Sequence, residues 1–222
     1  MAVQNPFLYI TPRDKDFLVG RSNFLDKVKK VVMDSLDENA IVSINGEFGI
    51  GKTLFVRKVI EDLEEKKKSV KVFHYDFNFN TLNDLRNLPS EKKAKKEIIV
   101  VIDRFELILS LSNLLQRKIL KVMSDLCKAK ITLLITSTDD LLKKIKNIDE
   151  GVKKYFRVLD VPPMTYEETE KLVISRLNEV RTKNKESIHP FTENEIKAMY
   201  KNAKGNPRMV LMLCASLFEE KL

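Results

Sequence analysis

Between a short β-branched run and an amphipathic stretch lie Gly46-Glu47-Phe48-Gly49-Ile50-Gly51-Lys52-Thr53, spelling G-x-x-x-x-G-K-T. Glycines at this spacing let backbone N–H groups turn toward phosphate oxygens, at the positive end of the helix that follows. Lys52 then reaches the β- and γ-phosphates, and the Thr53 hydroxyl ligates Mg²⁺. The strand before and the helix after are the context that gives this motif its meaning, because a glycine-rich turn elsewhere carries no such dipole. ATP or ADP with Mg²⁺ is therefore the expected ligand, held by Gly46 to Thr53 and the next helical residue, Leu54.

Three further groups belong to the same chemistry. The apolar run Ile98-Ile99-Val100-Val101-Ile102 closes on Asp103, a carboxylate placed to serve Mg²⁺ from a strand end; the competing reading is a helix N-cap. The residue after it is Arg104, where a glutamate is wanted to orient an attacking water. Glu106 is the nearest acid to take that role, and slow hydrolysis is expected. Ile131 to Ile135 runs into Thr136-Ser137-Thr138-Asp139, where a hydroxyl can face the γ-phosphate. Thr138 is the first choice and Thr136 the second, against plain turn chemistry. Finally, Gly205-Asn206-Pro207-Arg208 ends one helix and starts another, which would fix Arg208 near a helix start, where it can sense phosphate.

These residues need a parallel sheet to hold them. Strand patterns fall at Ile41 to Ile44, Val70 to Phe77, Ile98 to Ile102, Ile131 to Thr136 and Arg157 to Val161. Helical patterns fall between them: one from an N-cap at Ser22, one from Lys52 to about Lys67, a short one from Thr81 to about Leu88, and one from Ser112 to Ala129. The last is given the core face Leu114, Leu115, Ile119, Leu120, Val122 and Met123. Strand–helix alternation implies an α/β core with right-handed crossovers. After Pro162-Pro163 only helices follow: Thr165 to about Thr182, opened by the capping box Thr165-x-x-Glu168, then Thr192 to Ala203, then Pro207 to Lys221. The expected division is 1–162 as nucleotide-binding core with an irregular N-terminal arm, and 163–222 as helical lid.

Composition bounds the setting. The 222 residues are 43% apolar, and no apolar run approaches the roughly 20 residues that cross a bilayer. With no secretory pattern and two widely separated cysteines in helical patterns, Cys127 and Cys214 read as buried small hydrophobes in a cytoplasmic protein. The excess of 40 Lys+Arg over 32 Asp+Glu gives +8, compatible with a DNA partner but equally with a solvated mixed-charge surface. The candidate basic clusters are Lys92, Lys93, Lys95 and Lys96, and Lys143, Lys144 and Lys146.

Taken together, these elements resemble the AAA+ P-loop ATPases, within them the archaeal origin-recognition or initiator branch, with STAND-type ATPases close by. Asn5-Pro6-Phe7 and Phe17-Leu18-Val19-Gly20-Arg21 look like the family's opening motif. The resemblance implies that Val19, Gly20 and Arg21 line the adenine pocket. It makes Gly46 to Thr53 Walker A, Asp103 the end of Walker B, Thr138 sensor 1, Arg208 sensor 2 and Arg157 the finger toward a neighbour's ATP. The implied fold is a five-stranded parallel sheet between helices followed by a small all-α lid. Threonine at sensor 1 and arginine after Asp103 depart from the family. The chain also stops at Leu222, where origin-binding relatives usually continue into a winged helix.

The implied function is a nucleotide-controlled assembly switch in DNA replication or related DNA transactions, self-associating through the nucleotide site and binding duplex DNA through lysines. A regulatory STAND-like ATPase with a protein partner and a helper ATPase of a mobile element are the alternatives. A small-molecule kinase is disfavoured, since its lid would interrupt the core strands.

Overall fold

The computed structural model describes residues 5–8, 18–66, 70–77, 83, 85–86, 88, 97–138, 141–146, 150–181, 183 and 185–221. The expected helix at Thr81 to Leu88 and the cluster Lys92 to Lys96 lie largely or wholly outside them. Two compact units emerge. One comprises Asn23–Gly46 and Phe55–Val161; the other gathers the N-terminal residues, Glu47–Leu54 and Pro162–Leu222.

The first unit holds the sheet. Strands β1 (Ile41–Asn45), β2 (Val70–Asp76), β3 (Glu97–Asp103), β4 (Ile131–Ser137) and β5 (Phe156–Asp160) lie in the order β2-β3-β4-β1-β5. Every pairing is parallel, as the strand–helix alternation requires. Burial follows position in the sheet: every residue of β1 and β4 is buried, while the edge strands β2 and β5 keep exposed positions. That is why the inner strands read as continuous apolar runs.

Helix α1 (Ser22–Glu38) starts at Ser22 itself, one residue earlier than an N-cap at Ser22 would place it, with Arg21 before it at φ of 55°. Helix α2 (Lys52–Lys66) follows the glycine loop, and α3 (Asn113–Lys128) is capped by Ser112, whose Oγ accepts from Leu115 N. Short helices α4 (Leu141–Lys146) and α5 (Glu150–Lys153) precede β5. The face of α3 differs from expectation at one point: Leu114 is 65% exposed and Gln116 is buried. Five residues before Ile119 is about 140° around the helix, so Leu114 leaves the core stripe that Gln116 and Ile119 share. Gln116 is accommodated by donating to the carbonyls of Leu109 and Leu111.

The second unit is built on α6 (Tyr166–Leu177), α7 (Glu193–Ala203) and α8 (Pro207–Glu220). Capping boxes open the first two, at Thr165/Glu168 and Thr192/Glu195. The first helix stops at Leu177, short of the expected Thr182. Arg181 there binds Asn178 Oδ1 and the carbonyls of Ser187 and His189, closing a loop in place of another helical turn. Phe7 is fully buried against Phe191 and Phe218, and Asn5 donates to Ala215 O, so these residues of the N-terminal arm are anchored to the helices. Cys127 and Cys214 are buried free thiols, each pushed up to about 12 by desolvation, and so behave as apolar groups.

Two outcomes test this packing. Leu120→Ala, at a fully buried position on α3, should cost about 2–5 kcal/mol in denaturant unfolding, while Leu114→Ala stays within about 0.5 kcal/mol. Glu195 is held down to about 2, first by the hydrogen bond from Lys221 and then by the Thr192 N–H. A depressed carboxylate stabilises the fold above its ordinary value of 4.5 and loses that contribution as pH falls toward 2. Glu195→Gln should therefore be less stable than the native chain at pH 7, with the gap closing between pH 4.5 and 2.

Candidate functional site

In the helical unit the phosphate-loop motif is shaped by backbone geometry. Gly49 and Gly51 have φ of 85° and 106°, a region that penalises any side chain. Space enforces the same choice: a Cβ on Gly49 would fall 2.6 Å from Arg208 Cβ, and one on Gly51 would lie 3.2 Å from an Arg21 guanidinium nitrogen. Lys52 Nζ donates to Glu47 O at 3.0 Å, folding the ammonium over the loop. Among the described residues the N–H groups of Gly49 and Gly51 have no acceptor. Backbone donors, a lysine and a helix start together fit an anionic phosphate chain.

Two side chains fix this loop from elsewhere in the same unit. Arg21, 9% exposed, donates from Nη1 to Ile50 O at 2.7 Å. Burial lowers its guanidinium to about 10, a shift that Glu168 partly opposes, so the charge persists at neutral pH. Glu168 also accepts from the Arg21 backbone N–H while its other oxygen accepts from Thr165 N and closes the capping box. Gly20 is required beside it, because a Cβ there would sit 2.5 Å from Glu168 Cγ. Arg21 thus directs its guanidinium to the loop's own backbone.

The second fixing group is Asn206. Its Oδ1 accepts from the N–H groups of Arg208 and Met209, capping α8, while its Nδ2 donates to Phe48 O at 2.9 Å. Pro207 at the first helical position needs no partner for a missing N–H. Arg208 then lies over the Phe48 ring, 4.5 Å from its centroid. The sequence gives no sign of the Asn206 contact to Phe48, and it reads Glu168 only as half of a capping box.

In the sheet unit, Asp103 ends β3 and stands opposite Asp76 of β2. The Thr136 hydroxyl donates to Asp103 Oδ1, and Arg104 N donates to both Thr136 Oγ1, at 2.9 Å, and Asp103 Oδ1, at 3.1 Å. Thr136 is therefore the hydroxyl that meets the carboxylate. Thr138 lies just past the strand, where its carbonyl accepts from Leu141 N in a turn. Arg104 has φ of 55° and ψ of 39°, and its guanidinium approaches Asp76 at 3.7 Å, an exposed pair worth little. Glu106 sits in the first turn of the 3-10 helix Phe105–Ser110, with one buried carboxylate oxygen that has no hydrogen-bond partner among the described residues.

Arg157 lies near the start of β5, opposite Val42, which in turn pairs with Leu134, two residues before Thr136 along β4. It is bound by Glu38 at 3.1 Å and by the carbonyls of Lys154 and Phe156. A further cluster went unnoticed in sequence: Asn45 Oδ1 accepts from Ser43 and Ser137, all three buried, and Gly46 N donates to Ser137 O. Its signal was polar residues at alternate positions of an otherwise apolar strand, tying β1 to β4 where the chain leaves the sheet. Lys143 and Lys144 are exposed on α4.

No group of three or more His, Cys, Asp or Glu forms a metal cage among the described residues. Each of the two residues expected to serve Mg²⁺, Thr53 in the helical unit and Asp103 in the sheet unit, carries a hard oxygen of the kind that ion prefers. No helix among the described residues is long and apolar enough to cross a membrane.

The parallel order β2-β3-β4-β1-β5 and the glycine loop after β1 define a P-loop NTPase, with the fold seen in solved AAA+ initiator proteins. The chain belongs to the nSTAND3 family, novel STAND NTPase 3, whose model matches residues 26–188. Among solved structures it is similar to the Aeropyrum pernix ORC1 protein in complex with DNA, with TM-score 0.68 and 16% identity, covering 96% of this chain and 64% of that one. It is also similar to the ORC2 protein of the same organism in its ADP form, with TM-score 0.63 and 17% identity over 96% of this chain and 65% of that one. An uncharacterized HTH-type transcriptional regulator of Methanocaldococcus jannaschii is 30% identical over 80 residues, 36% of this chain and 19% of the regulator. The chain therefore spans under two thirds of these ORC proteins, and its match spans about a fifth of the regulator.

The Thr136 hydroxyl can be tested without ligand. Thr136→Val should lower stability by about 1–2 kcal/mol in chemical denaturation, because it strips a donor from Asp103 and an acceptor from Arg104 N. Thr138→Val should stay within about 0.5 kcal/mol.

Proposed function

We propose that this chain is a slow, ATP-controlled switch whose nucleotide state governs association with other protein chains, itself included. The observation that carries the reading is the link from Asn206 and Arg208, at the start of α8, to Phe48 of the phosphate loop. A helix whose first turn is tied to the loop is placed to report what the loop holds. Membership in the STAND NTPases favours protein association as the output.

In this reading Gly46, Glu47, Phe48, Gly49, Ile50, Gly51, Lys52, Thr53 and Leu54 bind the phosphates of ATP or ADP, while Val19, Gly20 and Arg21 flank the base. Thr53 and Asp103 hold Mg²⁺, which when bound neutralises phosphate charge. Thr136 orients Asp103, Thr138 is the further hydroxyl for the γ-phosphate, and Arg208 senses that group from the lid. Residues 1–162 then act as core and 163–222 as lid. Arg157, once released from Glu38, serves a neighbour's ATP. Arg104 occupies the place of a water-orienting acid and leaves that task to Glu106, which supports slow turnover.

Action on DNA is the second reading. The net charge of +8 and the exposed Lys143 and Lys144 support it, as does likeness to an ORC1 protein solved with DNA and to a transcriptional regulator. A role in replication or as a mobile-element helper falls within it.

Size-exclusion chromatography with light scattering, in ADP, ATP or a slow analogue and with or without duplex DNA at low salt, tests both. The expected result is association with ATP but not ADP, lost in Arg157→Ala, with turnover below about 0.1 s⁻¹, under the usual enzyme range. Lys52→Ala should weaken nucleotide binding about 10- to 100-fold, the scale of a charged hydrogen bond. A monomer under every condition would overturn the switch. DNA binding that falls steeply with salt would move the reading to the second.

A further inference from the structure

Phe48 is 74% exposed at the tip of the phosphate loop, the most exposed large apolar side chain among the described residues. Motif chemistry does not ask for an aromatic there, because the position is one of the unspecified four between the first glycine and Gly51. Three contacts surround it, all within the helical unit. Asn206 Nδ2 binds its carbonyl, the Arg208 guanidinium lies over its ring, and the backbone of Gly49 passes so close to the Arg208 stem that a Cβ there would fall 2.6 Å from Arg208 Cβ. The arginine is thus laid along the loop and held by the ring. Its guanidinium N–H groups make no hydrogen bond or ion pair among the described residues.

An arginine whose guanidinium carbon is held over a ring by a cation–π contact keeps N–H donors to offer, because a π-face takes up no hydrogen-bond acceptor position of its own. A side chain with several rotatable bonds is thereby ordered before any ligand arrives, and ordering done in advance is not charged against binding. We propose that Phe48 is a positioning residue: its ring holds Arg208 on the phosphate loop, so that the arginine favours a nucleoside triphosphate over a diphosphate. The inference rests on the reading of the loop as a nucleotide site and of Arg208 as its γ-phosphate sensor. It adds the residue that makes the sensor ready and the property, aromaticity, that does so.

Isothermal titration calorimetry with Mg²⁺ and either ADP or a non-hydrolysable ATP analogue tests it on the full chain. Phe48→Leu keeps an apolar side chain of similar size and removes the π-face, and at an exposed position it leaves the core untouched. It should weaken the ATP analogue about two- to fivefold, the scale of an exposed cation–π contact, and change ADP affinity by less than about twofold. Phe48→Tyr should restore native preference. In an Arg208→Ala background Phe48→Leu should have no further effect, since the ring then has nothing to hold. Equal losses for ADP and the analogue, a loss that persists without Arg208, or no loss at all would overturn the inference. If the native chain binds both nucleotides and Lys52→Ala does not, such a result leaves the nucleotide reading intact. A native chain that binds neither nucleotide overturns both.

Discussion

A loop that must present its N–H groups to anions turns its carbonyls the other way, and those carbonyls need donors of their own. In this protein the donors are two buried side chains. Arg21 takes the Ile50 carbonyl and Asn206 takes that of Phe48, so the loop is held from its middle as well as from its ends. Much of the helical unit serves to keep these two groups in place. Glu168 fixes the Arg21 backbone, Gly20 clears room for Glu168, and Gly205 lets the chain pass Met164 before α8 begins. Burying a guanidinium is costly, and the downward shift of Arg21 records it; the Ile50 carbonyl and Glu168 offset that cost.

The sheet unit solves a parallel problem with smaller groups. Asp103 sits at a strand end and one of its oxygens is occupied by the Thr136 hydroxyl and the Arg104 N–H, which orients the carboxylate and restrains its rotation. Below the point where β1 leaves the sheet, Asn45 gathers the hydroxyls of Ser43 and Ser137. Buried polar groups of this kind are tolerated because each is satisfied, and they specify the register of β1 against β4 as apolar contacts alone would not. In each unit some of the buried polar residues thus lie beside the glycine loop or the strand ends, Arg21 and Asn206 in one, Asn45, Thr136 and Ser137 in the other.

Arg104 shows how a local conformation bears on chemistry. Its left-handed backbone lets the N–H turn back onto Asp103 and Thr136 while the side chain leans toward Asp76. The position that elsewhere carries an acid is here used to brace the carboxylate beside it. Glu106, one turn on, keeps a buried oxygen without a partner among the described residues, a state that carries an energetic cost.

The amino-acid sequence alone determined the glycine loop, the inner strands and the capping box at Thr165, because each is a local pattern with one physical reading. Gly49 and Gly51 announce a backbone that side chains cannot adopt; Ile98 to Ile102 announces a strand buried on both faces; Thr165-x-x-Glu168 announces a helix start. Tertiary structure decided what depends on residues far apart in the chain. It turned Arg21 toward Ile50, gave Asn206 a second task at Phe48, chose Thr136 as the hydroxyl on Asp103, and exposed Leu114 while burying Gln116. None of these follows from spacing, because a hydrogen bond between residues 158 apart, as for Asn206 and Phe48, is set by how helices pack and leaves no periodic trace in the sequence.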